Sequence, residues 1–196
     1  SQNAWLESLV DSESHGLTGQ GIGLAIIDTG IAKTDERIGW QPNVIALYNA
    51  LTNSESGELR DSTGHGTHIT SLISGVSSRL QGIAPKASLV VVKAFDSTDK
   101  ANFLDVIRAV QWVTTNKDRL GIRVLNLSVS ASSELPYHID PLNRALTKAW
   151  NSGLVVVVSA GNTGPDESTI TAPGNNPWLI SVGAASINSA DGTIEV

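Results

Sequence analysis

A chain of 196 residues and 20.6 kDa sets a prior of one domain. Its 40 % apolar content is enough for a sizeable core, and 16 % charged residues is too little for a disordered tail. A net charge of −6 and a pI near 5.1 argue against phosphate-backbone binding, so no nucleic acid is expected as a partner. No apolar run reaches the ~18 residues of a membrane span, so no membrane partner is expected.

Cysteine is absent, which excludes a disulfide, a thiolate metal site and a cysteine nucleophile. Methionine is absent too, so Ser1 is not expected to be a translation start. Loss of a signal or pro-segment, or excision from a longer chain, is expected instead, with secretion as the localisation.

Short β-branched runs fall at residues 24–27, 44–47, 89–92, 122–127, 154–158 and 179–182. Several are apolar throughout, which suits strands of a parallel sheet buried on both faces. Helical spacing lies between them. Ile69, Leu72, Ile73 and Val76 follow i, i+3, i+4, i+7, and so do Phe103, Val106, Ile107 and Val110. Asn102 is the expected N-cap of the second helix, with Asp105 in its first turn. The third is Leu142, Ala145, Leu146, Ala149 and Trp150, with Asp140 as N-cap, Pro141 at N1 and Gly153 just past the end. This alternation predicts a doubly wound α/β fold. A mostly parallel sheet would carry helices on both faces, in one domain over 1–196 without a linker or internal repeat. Asp191-Gly192 is a hairpin signal, and Thr193-Ile194-Glu195-Val196 reads as the start of a returning strand. The expectation is a domain incomplete at its C-terminus.

Three positions could carry chemistry, each at a strand's carboxyl end or a helix start, where open α/β sheets place ligands. Asp28 ends the run Gly23-Leu24-Ala25-Ile26-Ile27, where a carboxylate costs desolvation unless it has a partner. By itself it reads equally well as a turn-capping aspartate. Asp28-Thr29-Gly30 is also the triplet of aspartic proteases, but those are β-proteins needing two copies or a dimer. His65 lies in Asp61-Ser62-Thr63-Gly64-His65-Gly66-Thr67-His68, with glycines exposing an imidazole suited to proton transfer. His68, three residues on, is expected to be structural and hydrogen-bonded, and no nearby Glu completes a zinc-protease pattern. Asn162 follows Val155-Val156-Val157-Val158-Ser159-Ala160-Gly161 and could donate its amide to a developing oxyanion, or simply occupy a turn. A dinucleotide-binding reading fails, because Gly19, Gly21 and Gly23 precede the first strand.

Asp-Thr-Gly after an apolar strand, Gly-His-Gly-Thr-His opening a helix and Ser-Ala-Gly-Asn after a valine strand occur in that order. Gly82-Ile83-Ala84-Pro85 and Asn126-Leu127-Ser128 lie between them. This set resembles the subtilisin-like serine proteases, the subtilase family, over most of the chain. The resemblance implies a serine endopeptidase. Asp28 would orient the imidazole, His65 would be general base, and Asn162 would be oxyanion donor. It also implies protein or peptide substrates lying between Lys100, Ala101 and Asn102 on one side and Ser128, Val129 and Ser130 on the other. Ser159, Ala160 and Gly161 would wall the primary pocket, and Thr171 would sit at its floor and favour small or medium side chains.

The chain also departs from the family. No Gly-Thr-Ser occurs, so the nucleophile is expected outside these residues, in a missing C-terminal segment of the same protease, and the chain alone is expected to be inactive. The other reading is a non-catalytic subtilase-like binding module that has lost its serine. No cofactor is expected for the chemistry. A structural calcium ion is a family trait, but segment 75–82 is short for its usual loop. Ser128-Val129-Ser130-Ala131 stands where relatives often carry Ser-Leu-Gly-Gly.

Overall fold

A computed structural model describes residues 16–32, 42–55, 57–76, 81–131, 135–187 and 194–195. In chain order they form β1 (Gly23–Asp28), β2 (Val44–Asn49), β3 (Ser54–Glu55), α1 (His65–Ser74), β4 (Ser88–Lys93) and α2 (Phe103–Asn116). Then come β5 (Ile122–Leu127), α3 (Pro141–Asn151), β6 (Val155–Ser159), β7 (Ile180–Val182), β8 (Ser186–Ile187) and β9 (Ile194–Glu195). Seven strands make one sheet in the order β3-β2-β4-β1-β5-β6-β7. All neighbours are parallel except β3, which returns antiparallel on β2.

The central strands β1 and β4 are buried on both faces, as their apolar composition requires, whereas β6 buries Val156 and Val158 and leaves Val155 exposed. Ala25, Ile27, Val90, Val92, Leu125, Leu127, Val156 and Val158 point to one face, where α2 and α3 cover them with Val106, Val110, Val113, Leu142 and Leu146. Ile26 and Leu89 point the other way, onto Ile69 and Ile73 of α1. On the first face Tyr48 of β2 stacks on Trp112 of α2, ring centroids 4.5 Å apart. Helices therefore lie on both faces, as expected for a doubly wound sheet.

The helix punctuation agrees at two starts. The Asn102 side chain accepts the Leu104 N–H at 2.9 Å, and that of Asp140 accepts the Asn143 N–H at 2.8 Å. At other ends tertiary contacts override the apolar spacing. Helix α1 begins four residues before Ile69 and stops at Ser74, where Gly75 leaves the helical region at ψ 134°. Val76 thus lies outside the helix and bridges Gln81. Helix α2 runs on to Asn116, because Val113 continues its buried stripe. Two-residue β3 has no periodic signal and is not legible in the sequence. The expected C-terminal hairpin is present as antiparallel β8 and β9, while its Asp191-Gly192 turn lies outside the described residues. No helix among the described residues is long and apolar enough to cross a membrane.

Candidate active site

Strand β1 lies between β4 and β5, and the strand order reverses about it. That is the switch point, where the loops leaving the carboxyl ends diverge and open a crevice. Asp28 is the last residue of β1 and is 1 % exposed. His65 is the first residue of α1, with its side chain 43 % exposed. The two meet: His65 Nδ1 lies 2.7 Å from Asp28 Oδ1. A carboxylate only accepts, so Nδ1 carries the proton and Nε2 keeps a free lone pair toward the crevice. The same Oδ1 accepts the Thr29 N–H at 2.7 Å, while the buried Oδ2 has no hydrogen-bond partner among the described residues.

The approach depends on Gly66. A Cβ built there would lie 2.3 Å from the Gly30 carbonyl oxygen and 3.1 Å from Asp28 Oδ1. Only a glycine lets the first turn of α1 press onto the end of β1. The pairing is fastened by side chains that the sequence reading did not single out. Asp61 accepts from Gly64 N–H at 2.9 Å, Thr67 N–H at 2.8 Å and the Thr29 hydroxyl at 2.9 Å. Lys93 ends β4 in register with Asp28 and donates to the carbonyls of Thr29 and Arg60. A lysine closing an apolar strand beside a strand-end aspartate was the available signal for that contact.

Burial alone would push the His65 pKa down, but its hydrogen bond to Asp28 and the charges of Asp28, Asp99 and Asp61 hold it above the ordinary 6.5. Burial opposes ionisation of Asp61 as well. Its bonds from Thr67, Gly64 and Thr29 outweigh that and lower its pKa from 3.8 to about 2. Burial also lowers the pKa of Lys93, opposed by Asp61, Asp96 and Asp28.

The two stability contributions have opposite signs. The raised His65 pKa stabilises the fold below pH 6.5 and ceases to do so as pH rises through the folded-state value. The Asp61 contribution is present above pH 3.8 and is lost as pH falls toward about 2. A base must be unprotonated, so any reaction using His65 should gain rate as pH rises, with its acid limb above pH 6.5. An acid limb at or below 6.5 in the pH profile of kcat/KM would contradict this electrostatic environment.

The other candidates lie along the same carboxyl edge. Lys100, Ala101 and Asn102 follow β4 through a turn in which Asp96 accepts the Lys100 N–H at 3.1 Å. Ser128, Val129 and Ser130 follow β5, with Val129 and Ala101 both packed on the core beneath α2. The two segments thus flank β1. Ser159, Ala160, Gly161 and Asn162 leave β6, two strands from Asp28, or about 10 Å at the usual strand spacing. The Asn162 side chain is exposed. Thr171 donates its N–H to the Ala160 carbonyl at 3.0 Å, and its Oγ1 lies 2.5 Å from where a Cβ on Gly161 would stand. Gly161 has φ +119°, so a side chain is excluded there twice over.

One expectation is corrected. His68 is not a hydrogen-bonded structural histidine: its ring is exposed and bonds to none of the described residues. The Gly75 carbonyl accepts the Gly82 N–H at 2.7 Å. Segment 75–82 contains no carboxylate and one arginine, so its side chains offer a calcium ion no charged donor.

An imidazole oriented by a buried carboxylate, at the switch point of a doubly wound sheet, defines an α/β protein equipped for proton transfer. The chain belongs to the subtilase family, whose model matches residues 19–193. It is 36 % identical to serine protease AprX of Bacillus subtilis (strain 168) over 182 residues, 88 % of this chain and 40 % of that protein. It is 31 % identical to subtilisin E of the same organism over 194 residues, 93 % of this chain and 48 % of that protein. The crystal structure of a cold adapted subtilisin-like serine proteinase superposes with a TM-score of 0.68 at 26 % identity, over 84 % of this chain and 55 % of that one. The chain thus spans less than half the length of these two curated relatives.

Proposed function

We propose that the protein is a serine endopeptidase that hydrolyses peptide bonds through an Asp28–His65–serine triad, with the serine supplied by polypeptide outside these 196 residues. The observation that carries this reading is the 2.7 Å contact from His65 Nδ1 to buried Asp28, which leaves Nε2 free to accept a proton. Nε2 takes the serine proton as the oxygen attacks the scissile carbonyl, and then gives it to the departing amine. The Asp28 charge stabilises the imidazolium between those steps. The Asn162 amide donates to the oxyanion, and water repeats the sequence to release the acyl group. Removing such a donor in a subtilisin costs about 10²–10³ in turnover, a family magnitude that we adopt for Asn162→Ala.

The substrate strand lies between the Lys100 and Ser128 segments, bound by main-chain hydrogen bonds. Ser159, Ala160 and Gly161 wall the primary pocket. Thr171, seated against Gly161, limits its depth and favours small or medium side chains. Secretion accords with this role.

A fluorophosphonate serine probe tests the reading. The full-length polypeptide containing this chain should label, and should lose the label in His65→Ala, while residues 1–196 alone should not label. Stoichiometric, His65-dependent labelling of the 196-residue chain would place the nucleophile inside it. A full-length polypeptide that never labels would favour a non-catalytic binding module.

A further inference from the structure

We propose that Asp61 is a positioning residue for the Asp28–His65 pair: its one carboxylate directs two threonine hydroxyls that clamp the start of α1 to the end of β1. The inference rests on the catalytic reading of that pair and adds a residue to it.

The argument is one of hydrogen-bond direction. Asp61 Oδ1 accepts the Thr29 hydroxyl at 2.9 Å, and Oδ2 accepts the Thr67 hydroxyl. Each hydroxyl has a single proton to give. Thr29 Oγ1 also lies 3.2 Å from Asp28 Oδ1, but the shorter contact to Asp61 takes its proton. With both protons committed to Asp61, both threonine oxygens turn their lone pairs toward backbone N–H groups on the opposite segment. Thr29 Oγ1, beside Asp28, accepts the Gly66 N–H of α1 at 2.9 Å. Thr67 Oγ1, on α1, accepts the Ala32 N–H beyond β1 at 2.8 Å. The two cross-links run in opposite senses and straddle the His65–Asp28 contact. Asp61 also accepts the N–H groups of Gly64 and Thr67 on either side of His65, so it holds the helix start directly.

The network also explains why helix α1 begins where it does. Gly64 precedes it in the left-handed region and has no side chain to cap with. Asp61 takes over the capping from three residues upstream. An amide cannot replace this carboxylate. Whichever way the side chain of Asp61→Asn is turned, its NH2 faces a backbone N–H that can only donate, that of Gly64 or that of Thr67, and the hydroxyl on that side must give up its bond to the carboxylate.

The test uses the full-length polypeptide, with two readouts. Asp61→Asn should lower kcat about 10–100-fold with KM little changed, as expected when a catalytic contact shifts by about an ångström. In ¹⁵N-histidine-labelled protein the downfield His65 Nδ1–H resonance should broaden or vanish. Because Asp61→Asn also removes a charge and could fail to fold, the threonines provide the decisive arm. Thr67→Val should reproduce both losses in part without changing charge, and Thr67→Ser should restore them. Unchanged kcat and an unchanged Nδ1–H resonance in Thr67→Val, or in a folded Asp61→Asn, would overturn the proposal. If His65→Ala left hydrolysis intact, the protease reading would fail instead, and the resonance arm would still decide the role of Asp61.

Discussion

Asp28→Asn in the full-length polypeptide is expected to lower turnover about 10⁴-fold, the order of the losses found when the carboxylate of other serine-protease triads is altered. The geometry specifies the route of the loss. The Thr29 N–H points at Oδ1 from 2.7 Å, so the asparagine oxygen must stay there and its NH2 must take the Oδ2 position. His65 Nδ1–H keeps its acceptor and the imidazole keeps its tautomer. What disappears is the negative charge that stabilises the imidazolium, in a site only 1 % exposed. The His65 pKa should therefore fall in the variant while the Nδ1–H resonance survives. The new NH2 group lands where no partner waits among the described residues, at a cost of about 1–3 kcal/mol of stability. Turnover within tenfold of the parent would remove Asp28 from the mechanism.

The second large effect is structural in origin. Gly66→Ala places a methyl group 2.3 Å from the Gly30 carbonyl oxygen, well inside any permissible contact. The obstructing atom is backbone, which no side-chain rotation can clear. The first turn of α1 must move away from β1 and take the His65 ring with it. Stability should fall by roughly 1–3 kcal/mol, as in other overpacked cores. Turnover should fall by about 10²-fold or more, because an ångström of misplacement is costly at a proton-transfer pair. Thermal unfolding and kcat, each compared with Gly57→Ala, check this, since a Cβ at Gly57 meets nothing within 4 Å. A Gly66→Ala variant as active as the Gly57→Ala control would show that α1 and β1 can separate without consequence.

Much of this protein is determined locally and is legible in the chain. Runs such as Leu89-Val90-Val91-Val92 are too apolar to lie anywhere but a sheet covered on both faces, and all four are fully buried. Asp140-Pro141 and Asn102 announce their helices because capping needs only a side chain two or three residues from the backbone it satisfies. Asp28 and His65 stand out because each sits at an element end in unusual company: a carboxylate after five largely apolar residues, and an imidazole between glycines.

Other features belong to the tertiary structure. The seating of Thr171 against Gly161 and the clamp on Asp61 have no periodic signature. The clamp joins Thr29, Asp61, Gly66 and Thr67, whose cross-links span 32 to 37 residues except within the helix start itself. A threonine hydroxyl can donate or accept in many settings, and only the fold decides which backbone N–H it meets. Sequence alone therefore identified the carboxylate and the imidazole. Their 2.7 Å separation had to await the sheet order that brings the end of β1 under the start of α1, and the buried carboxylate that holds them there.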